Sequence, residues 1–425
     1  MEQSKETINS IPINGKVSNC DENIDHNSTD DVLLDVDIGD PIMYYPYWKS
    51  VDEECSVTIK ASAFLSYFVN LNKDEFFYHV PGFTDAIRRI HRVVGNAVTE
   101  GRYIIAGTGS SQLFNYLLLA LSNTVTSGTT NKRVPVVCAA PYYGLFAASV
   151  ETEKSSMYEW RGDTRTFDDK EGPYIEVVTS PNNPDGLWRK PMVNREGGML
   201  IHDLAYYWPQ YVPITGPADY DIMLFTMSKF TGHAGSRIGW VIVKDKELAS
   251  ALMNQSFLRT IGCCQEGQLR AKTILNFIAD SYEKTPIPKV MPTTTTENLF
   301  EFGYRVMSDR WEMMKAAVKQ NNLFNLLEYP DQHCNFFGKF HLPNPAFAWL
   351  ESKTGEDASE LMREHKIQAR KGAMFGSSLH TKCVRITMVG SDDQFRLLIQ
   401  RLSSPPSSVH LDEVPSISKV DINGN

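Results

Sequence analysis

The sequence has no CxxC pair, no GxGxxG, no GxxxxGK[ST] and no unbroken apolar run of the roughly 18 residues that a bilayer span needs. Dinucleotide-fingerprint, P-loop and membrane-spanning readings therefore lack their signatures, and no membrane partner is expected. The seven cysteines, at 20, 55, 138, 263, 264, 334 and 383, are scattered and odd in number. They form neither a disulfide framework nor a metal set, so no metal is expected and a reducing, cytoplasmic setting fits best. Cys138 lies inside an apolar run and reads as a small core residue, and vicinal Cys263 and Cys264 read as helix positions rather than a redox pair. Basic excess is also missing: 42 Lys and Arg face 51 Asp and Glu, a formal charge of −9, with no long basic block. That argues against a nucleic-acid partner. The opening MEQSKETINSIPING has no basic segment followed by an apolar core, so no signal peptide is expected. There is no internal repeat.

What is present is an ordinary globular composition, 42% hydrophobic and 22% charged, over 425 residues, enough for two or three cores. Residues 1–30 and 405–425 are polar and poor in aromatics, and read as disordered tails. Between them, apolar runs at 103–107, 134–140, 174–180, 199–203, 221–225 and 238–243 alternate with helical stretches, the clearest of which follows GTGS (107–110). Such runs read as strands buried on both faces, hence an α/β fold with a mainly parallel sheet. A long helical region spans about 246–283. The amphipathic helix at 298–322 opens a second, smaller α+β part, with strands at 346–352 and 384–389 and helices near 357–366 and 392–403. The expected division is a segment 31–70 that joins the small domain, a large domain 71–295 and a small domain 296–404.

Open parallel sheets bind ligands beyond the carboxyl ends of their strands. After the first run, Thr108-Gly109-Ser110-Ser111 opens a helix and suits a phosphate, or is a plain N-cap. After the second, Pro141-Tyr142-Tyr143 offers a ring that stacks on a flat ligand or packs in the core. After the third, Pro181-Asn182-Asn183-Pro184-Asp185-Gly186 is either a tight turn or a rigid mount for a donor amide. After the fourth, Asp203 is a buried carboxylate that needs a partner: a protonated pyridine nitrogen, a salt bridge or a helix cap. Lys229 ends the fifth, badly placed for a solvated charge, and Arg237 follows in a loop of small residues. A lysine amine that holds a carbonyl cofactor, with an arginine on the cofactor's phosphate, fits that setting.

In this joint order the chain resembles fold-type I pyridoxal phosphate (PLP) enzymes of the aminotransferase superfamily. SPNNPDG (180–186), HDLAYYWPQY (202–211) and SKFTGHAGSRIGW (228–240) are similar to the plant alliinase/tryptophan aminotransferase-related family, over about 35–402. The resemblance implies a large domain with a seven-stranded-type sheet plus a small α+β domain. It implies that Lys229 carries PLP and acts in catalysis, and that Asp203 faces the pyridine nitrogen. Asn183 and Tyr206 would hold the ring's phenolic oxygen and Tyr143 would stack on it, while Gly109, Ser110, Ser228 and Arg237 surround the phosphate. Arg385 matches the arginine that binds the substrate's α-carboxylate, with Gly39 and Asn183 as further substrate contacts. Tyr67 is the candidate for a tyrosine that reaches the phosphate of a partner subunit, and a homodimer is implied.

Alliinases proper carry a cysteine-rich segment and a secretory signal ahead of the catalytic domain. With one cysteine in its opening stretch and no signal, the chain resembles the cytosolic branch. That branch converts L-tryptophan and a 2-oxo acid such as pyruvate to indole-3-pyruvate in auxin synthesis. Three alternatives stand beside it: carbon–sulfur lyase chemistry by β-elimination, a broader aromatic aminotransferase, and a catalytically silent regulatory homologue. Tyr44-Tyr45-Pro46-Tyr47-Trp48 and Phe336-Phe337 either line a pocket for an indole or pack in the core.

Overall fold

A computed structural model describes residues 32–69, 76–126, 132–193, 195–283, 297–376 and 378–404; both expected tails lie outside them. The elements fall in the unit that begins at Leu34. It opens with β1 (Leu34–Asp35), α1 (Tyr45–Ser50) and α2 (Phe83–Val94). β2 (Tyr103–Gly107) leads into α3 (Gly109–Thr126), and β3 (Val134–Cys138) into α4 (Leu145–Glu153). β4 (Tyr158–Asp163), β5 (Tyr174–Thr179), β6 (Gly198–Asp203) and β7 (Ile222–Thr226) follow, then the single turn α5 (Met227–Phe230) and β8 (Gly239–Val243). Next come α6 (Lys246–Thr260), α7 (Gln265–Glu283) and α8 (Leu299–Asn321). β9 (Phe324–Leu326), β10 (Gln332–Cys334), β11 (Lys339–His341) and β12 (Phe347–Ser352) precede α9 (Ala358–Glu364). β13 (Ile367–Gln368), β14 (Arg370–Lys371), β15 (Cys383–Thr387) and α10 (Asp392–Ser403) close the fold.

Seven strands form the large sheet in the order β2-β8-β7-β6-β5-β3-β4. β8 alone is antiparallel to its neighbours β2 and β7. The parallel strands therefore end on one edge, which gathers the turns after Gly107, Cys138, Thr179, Asp203 and Thr226. Because β8 runs the other way, its start lies at that same edge, with Gly239 opposite both Gly107 and Thr226. That reversal delivers Arg237 to the strand ends.

Side-chain alternation splits the core across this sheet. Ile104, Ala106, Met223, Phe225, Trp240 and Ile242 pack on one face with residues of α2, α7 and α8. Ile105, Ile222, Leu224, Val241 and Val243 pack on the other with residues of α3, α4 and α6. A second, antiparallel sheet, β14-β15-β12-β9, follows later in the chain. On it Arg385 lies opposite Trp349 on one side and Arg370 on the other. β1 pairs in parallel with β13.

The periodicity signalled six of the seven large-sheet strands, within a residue or two at their ends. β4 gives no such signal because it is an edge strand: Glu159 is only partly buried, Arg161 is exposed, and Arg133 and Arg161 both pair with Glu159. Charges on an edge blunt unwanted strand pairing and erase the alternation. The helical region 246–283 is two helices. It breaks where Ile261 and Gly262 adopt left-handed backbone, at φ 52° and 102°. Cys263 and Cys264 sit in that break rather than on a helix, the first buried and the second exposed. Cys138 is buried in the core as expected.

Candidate active site

Lys229 sits on α5, one turn of helix directly after β7. Thr226 caps that turn: its hydroxyl accepts the Ser228 N–H at 3.2 Å and donates to Ser228 Oγ at 3.1 Å. Phe230 stacks on Trp208 with ring centroids 4.0 Å apart, both side chains fully buried. Truncating such a core aromatic costs about 3–5 kcal/mol, so the turn is anchored from below. Lys229 is half-buried, and its Nζ donates to the Gly39 carbonyl at 2.9 Å. Burial lowers its pKa to about 8; the Arg385 and Arg237 charges push the same way, while Asp40 and Asp203 oppose them.

Asp203 closes β6 and is buried. Its carboxylate accepts the Ala205 N–H at 3.0 Å and has no ion-pair partner within 4 Å among the described residues. Burial raises its pKa to about 6, against the pull of that N–H and of Lys229. Of the readings open for this carboxylate, the salt bridge is thus not what the structure holds.

Arg385, on β15, is 3% exposed. Its Nη1 donates to Asn183 Oδ1 at 3.0 Å and its Nη2 to the Asp37 carbonyl at 2.5 Å. The guanidinium lies over the Phe347 ring at 4.0 Å and near Phe375 at 5.2 Å, and its Nε has no partner. Burial brings its pKa down to about 10. Asn183 belongs to the turn after β5, which Asn182 pins by donating to the Pro141 carbonyl at 2.9 Å and to Asp185 at 2.8 Å.

Tyr143 and Tyr206 complete the ring of groups. After burial, which raises the pKa of the Tyr143 hydroxyl, Arg385, Arg370, Asp203 and Arg237 all act on it. The Tyr206 hydroxyl is held up by burial too and feels Arg385, Tyr143 and Asp203; its ring lies edge-on to Tyr211 and Phe347. At the start of α3, Gly109 has φ 73°, and a Cβ there would come within 2.6 Å of Arg237 Nη2. A Cβ on Gly239 would sit 2.7 Å from the Ser110 nitrogen. Two glycines thus let the Gly109–Ser110 backbone approach the arginine and the strand end beside it. Arg237 itself is exposed, its Nη1 on the Ala234 carbonyl at 3.1 Å.

The structure therefore brings Lys229, Asp203, Asn183, Arg385, Tyr143 and Tyr206 together, with Gly109, Ser110, Ser228 and Arg237 along the strand ends. Gly39 joins them through its carbonyl. Tyr67 does not meet them within the chain: it is 62% exposed, and its carbonyl accepts from Gln265. In the aromatic stretch 44–48, Tyr44 and Tyr47 pack in the core and Trp48 Nε1 donates to the Thr231 carbonyl at 2.7 Å, while Tyr45 is exposed. Phe336 packs on Tyr282 and Phe300, and Phe337 on Tyr304. Gln210 and Tyr211 reach the lysine turn by bonds to its backbone carbonyls, and Asp37 offers its own carbonyl, so none of the three leaves a pattern in the sequence.

These residues fit PLP. A buried carboxylate lacking a cation suits a protonated ring nitrogen, a half-buried amine suits an aldehyde carbon, and the glycine-cleared turn beside an arginine suits a phosphate. Among the described residues, no group of His, Cys, Asp and Glu could hold a metal ion, and no helix is long and apolar enough to cross a membrane.

Residues 34–405 match the family model described as allinase. The chain is 43% identical to tryptophan aminotransferase-related protein 2 of Arabidopsis thaliana, over 88% of this chain and 82% of that one. It is 34% identical to alliin lyase 1 of Allium sativum, over 87% and 76%. Among solved structures, aspartate aminotransferase from Thermus thermophilus with maleate superposes with a TM-score of 0.59 at 14% identity, covering 88% of this chain and 91% of that one.

Proposed function

The chain belongs to the allinase family, of fold type I and PLP-dependent, and on that footing we propose that it is an L-tryptophan aminotransferase. L-tryptophan and pyruvate go to indole-3-pyruvate and L-alanine, as a step of auxin formation, in a cytoplasmic homodimer. The observation that carries this reading is the 43% identity to tryptophan aminotransferase-related protein 2 of Arabidopsis thaliana, above the 34% to alliin lyase 1.

PLP supplies, when bound, an electron sink for negative charge at the substrate's α-carbon. Asp203 would hold the protonated ring nitrogen, and with that cation beside it would ionise more readily than alone. With Oδ1 of Asn183 turned to Arg385, its Nδ2 is the group left to donate to the ring's phenolic oxygen, together with Tyr206. Tyr143 would stack on the ring. Gly109, Ser110, Ser228 and Arg237 would hold the phosphate, and Tyr67 would reach the partner subunit's site.

Arg385 would exchange the Asp37 carbonyl for the substrate's α-carboxylate, which its planar fork grips in two places. The orphan Nε and the flanking Phe347 ring hold this guanidinium poor in competing partners. Lys229 would then take the proton from the substrate's Cα. A pKa of about 8 leaves roughly one amine in ten neutral at pH 7, against about one in three thousand for an ordinary lysine.

The second reading, carbon–sulfur lyase activity, is supported by the match to alliin lyase along most of both chains. Purified protein given tryptophan and pyruvate should form indole-3-pyruvate and alanine in equal amounts. Given an S-alkyl cysteine sulfoxide without an acceptor, it should release no pyruvate; the reverse pattern overturns the aminotransferase assignment.

A further inference from the structure

α5 is a single turn, so its last carbonyls have no partners within the helix and, being buried, must find them elsewhere. Side chains from two other segments supply them. Tyr211 Oη donates to the Lys229 carbonyl at 2.7 Å, Gln210 Nε2 to the Phe230 carbonyl at 3.1 Å, and Trp48 Nε1 to the Thr231 carbonyl at 2.7 Å. Behind Tyr211 stands Tyr44, whose hydroxyl lies 3.0 Å from that of Tyr211 and 2.9 Å from Gln210 Nε2.

The hydrogens of this chain have one arrangement. A carbonyl only accepts, so Tyr211 spends its single hydrogen on Lys229. An amide NH2 only donates, so Tyr44 receives from Gln210 and spends its own hydrogen on Tyr211. The order runs Gln210 N–H to Tyr44, Tyr44 O–H to Tyr211, Tyr211 O–H to the Lys229 carbonyl. Tyr44, Gln210 and Tyr211 are each 1% exposed. Burial holds both hydroxyls protonated well above the ordinary tyrosine range, so the order persists across working pH.

We propose that Tyr211, oriented by Tyr44, is a positioning residue for Lys229: it fixes the carbonyl of the lysine's own peptide and so the direction from which the amine approaches its target. The inference rests on the role of Lys229 proposed above, but not on the choice of substrate. A reacting amine a fraction of an ångström off line loses rate without losing substrate affinity.

The test uses PLP-loaded Tyr211→Phe and Trp48→Phe; the second keeps an aromatic ring and removes one N–H from the same turn. The readouts are kcat and KM, the pH midpoint of the bound cofactor's visible absorbance, and the thermal midpoint of the cofactor-free protein. A control is Leu398→Ala in α10, a buried site remote from Lys229 in the sequence. We expect kcat of Tyr211→Phe to fall about tenfold or more, with KM changed by less than about twofold. The absorbance midpoint should move by at least about half a pH unit, because the lysine nitrogen changes surroundings. Trp48→Phe should show the same signs at smaller size, and its result decides between the outcomes if Tyr211→Phe does not fold. An unmoved absorbance midpoint and kcat overturn the proposal, as does an equal shift of both in Leu398→Ala. The absorbance midpoint reads Lys229 even if tryptophan is not turned over, so failure of the substrate assignment is told apart from failure of this one.

Discussion

The amine of Lys229 donates to the carbonyl of Gly39 at 2.9 Å, and two residues earlier the carbonyl of Asp37 takes the guanidinium of Arg385 at 2.5 Å. One stretch of N-terminal backbone thus holds the lysine that follows the large sheet's β7 and the arginine from the small sheet's β15. Both bonds go to carbonyls, which can be exchanged for a ligand's oxygens at little net cost.

Replacing Lys229 with Ala removes the amine and the proposed base together. Turnover should drop by about 10³-fold or more, while the protein still folds, since the side chain is only half-buried. Steady-state kinetics beside circular dichroism checks this, and a variant that keeps a tenth of the activity contradicts the assignment.

The depressed pKa of Lys229 also has a stability consequence with a definite sign. Its contribution is fully present above the unfolded pKa near 10.5 and is lost as pH falls through about 8, because the folded state then holds a poorly solvated ammonium. Cofactor-free Lys229→Met should therefore melt above the native protein at pH 7, and the gap should narrow between pH 8 and 10. Parallel melting curves at the two ends of that range would show that the amine is not desolvated.

Arg385→Gln keeps hydrogen-bonding capacity but loses the charge and the fork. KM for both the amino acid and the 2-oxo acid should rise about 10- to 100-fold, the worth of a charged hydrogen bond or two. Cofactor retention, followed by absorbance, should stay near native. A change confined to kcat would place Arg385 outside carboxylate binding.

A Cβ at Gly39 would meet the Phe347 ring at 2.6 Å, and Phe347 is the ring under the Arg385 guanidinium. Gly39→Ala should therefore displace that ring and raise KM for the amino acid by about threefold to tenfold with a small loss of stability, within about 1–3 kcal/mol. Kinetics and thermal melting of the same preparation separate the two effects; native KM would mean that the ring yields without disturbing Arg385.

The strand-end residues were legible in the sequence because each leaves a local mark. Asp203 and Lys229 are charges that end apolar runs, and Asn183 sits between two prolines. Arg385, in VRITMVG (384–390), is legible only through the family resemblance, since nothing local sets a buried strand arginine apart from a surface one. Tyr44 and Trp48 were noticed as aromatics, and their use was open between pocket and core. The structure makes them supports of the lysine turn: Trp48 bonds directly to the Thr231 carbonyl, and Tyr44 acts one step back, through the hydroxyl of Tyr211 and the amide of Gln210.

Apolar periodicity alone pointed to a mainly parallel α/β sheet, and with it the edge on which the chemistry gathers, because strands buried on both faces are continuous apolar runs and the helices between them return the chain to the same edge. It did not reveal β4, whose charged edge hides the pattern, nor the break after Thr260. Only the tertiary structure decided that Arg237 reaches that edge through the reversed β8, and that Asp37 and Gly39 lend carbonyls to Arg385 and Lys229. It alone also joined Gln210, Tyr44 and Tyr211 end to end behind the lysine. Those relations join residues up to 348 apart in sequence. They depend on direction and distance between groups, which pair chemistry constrains and residue order does not encode.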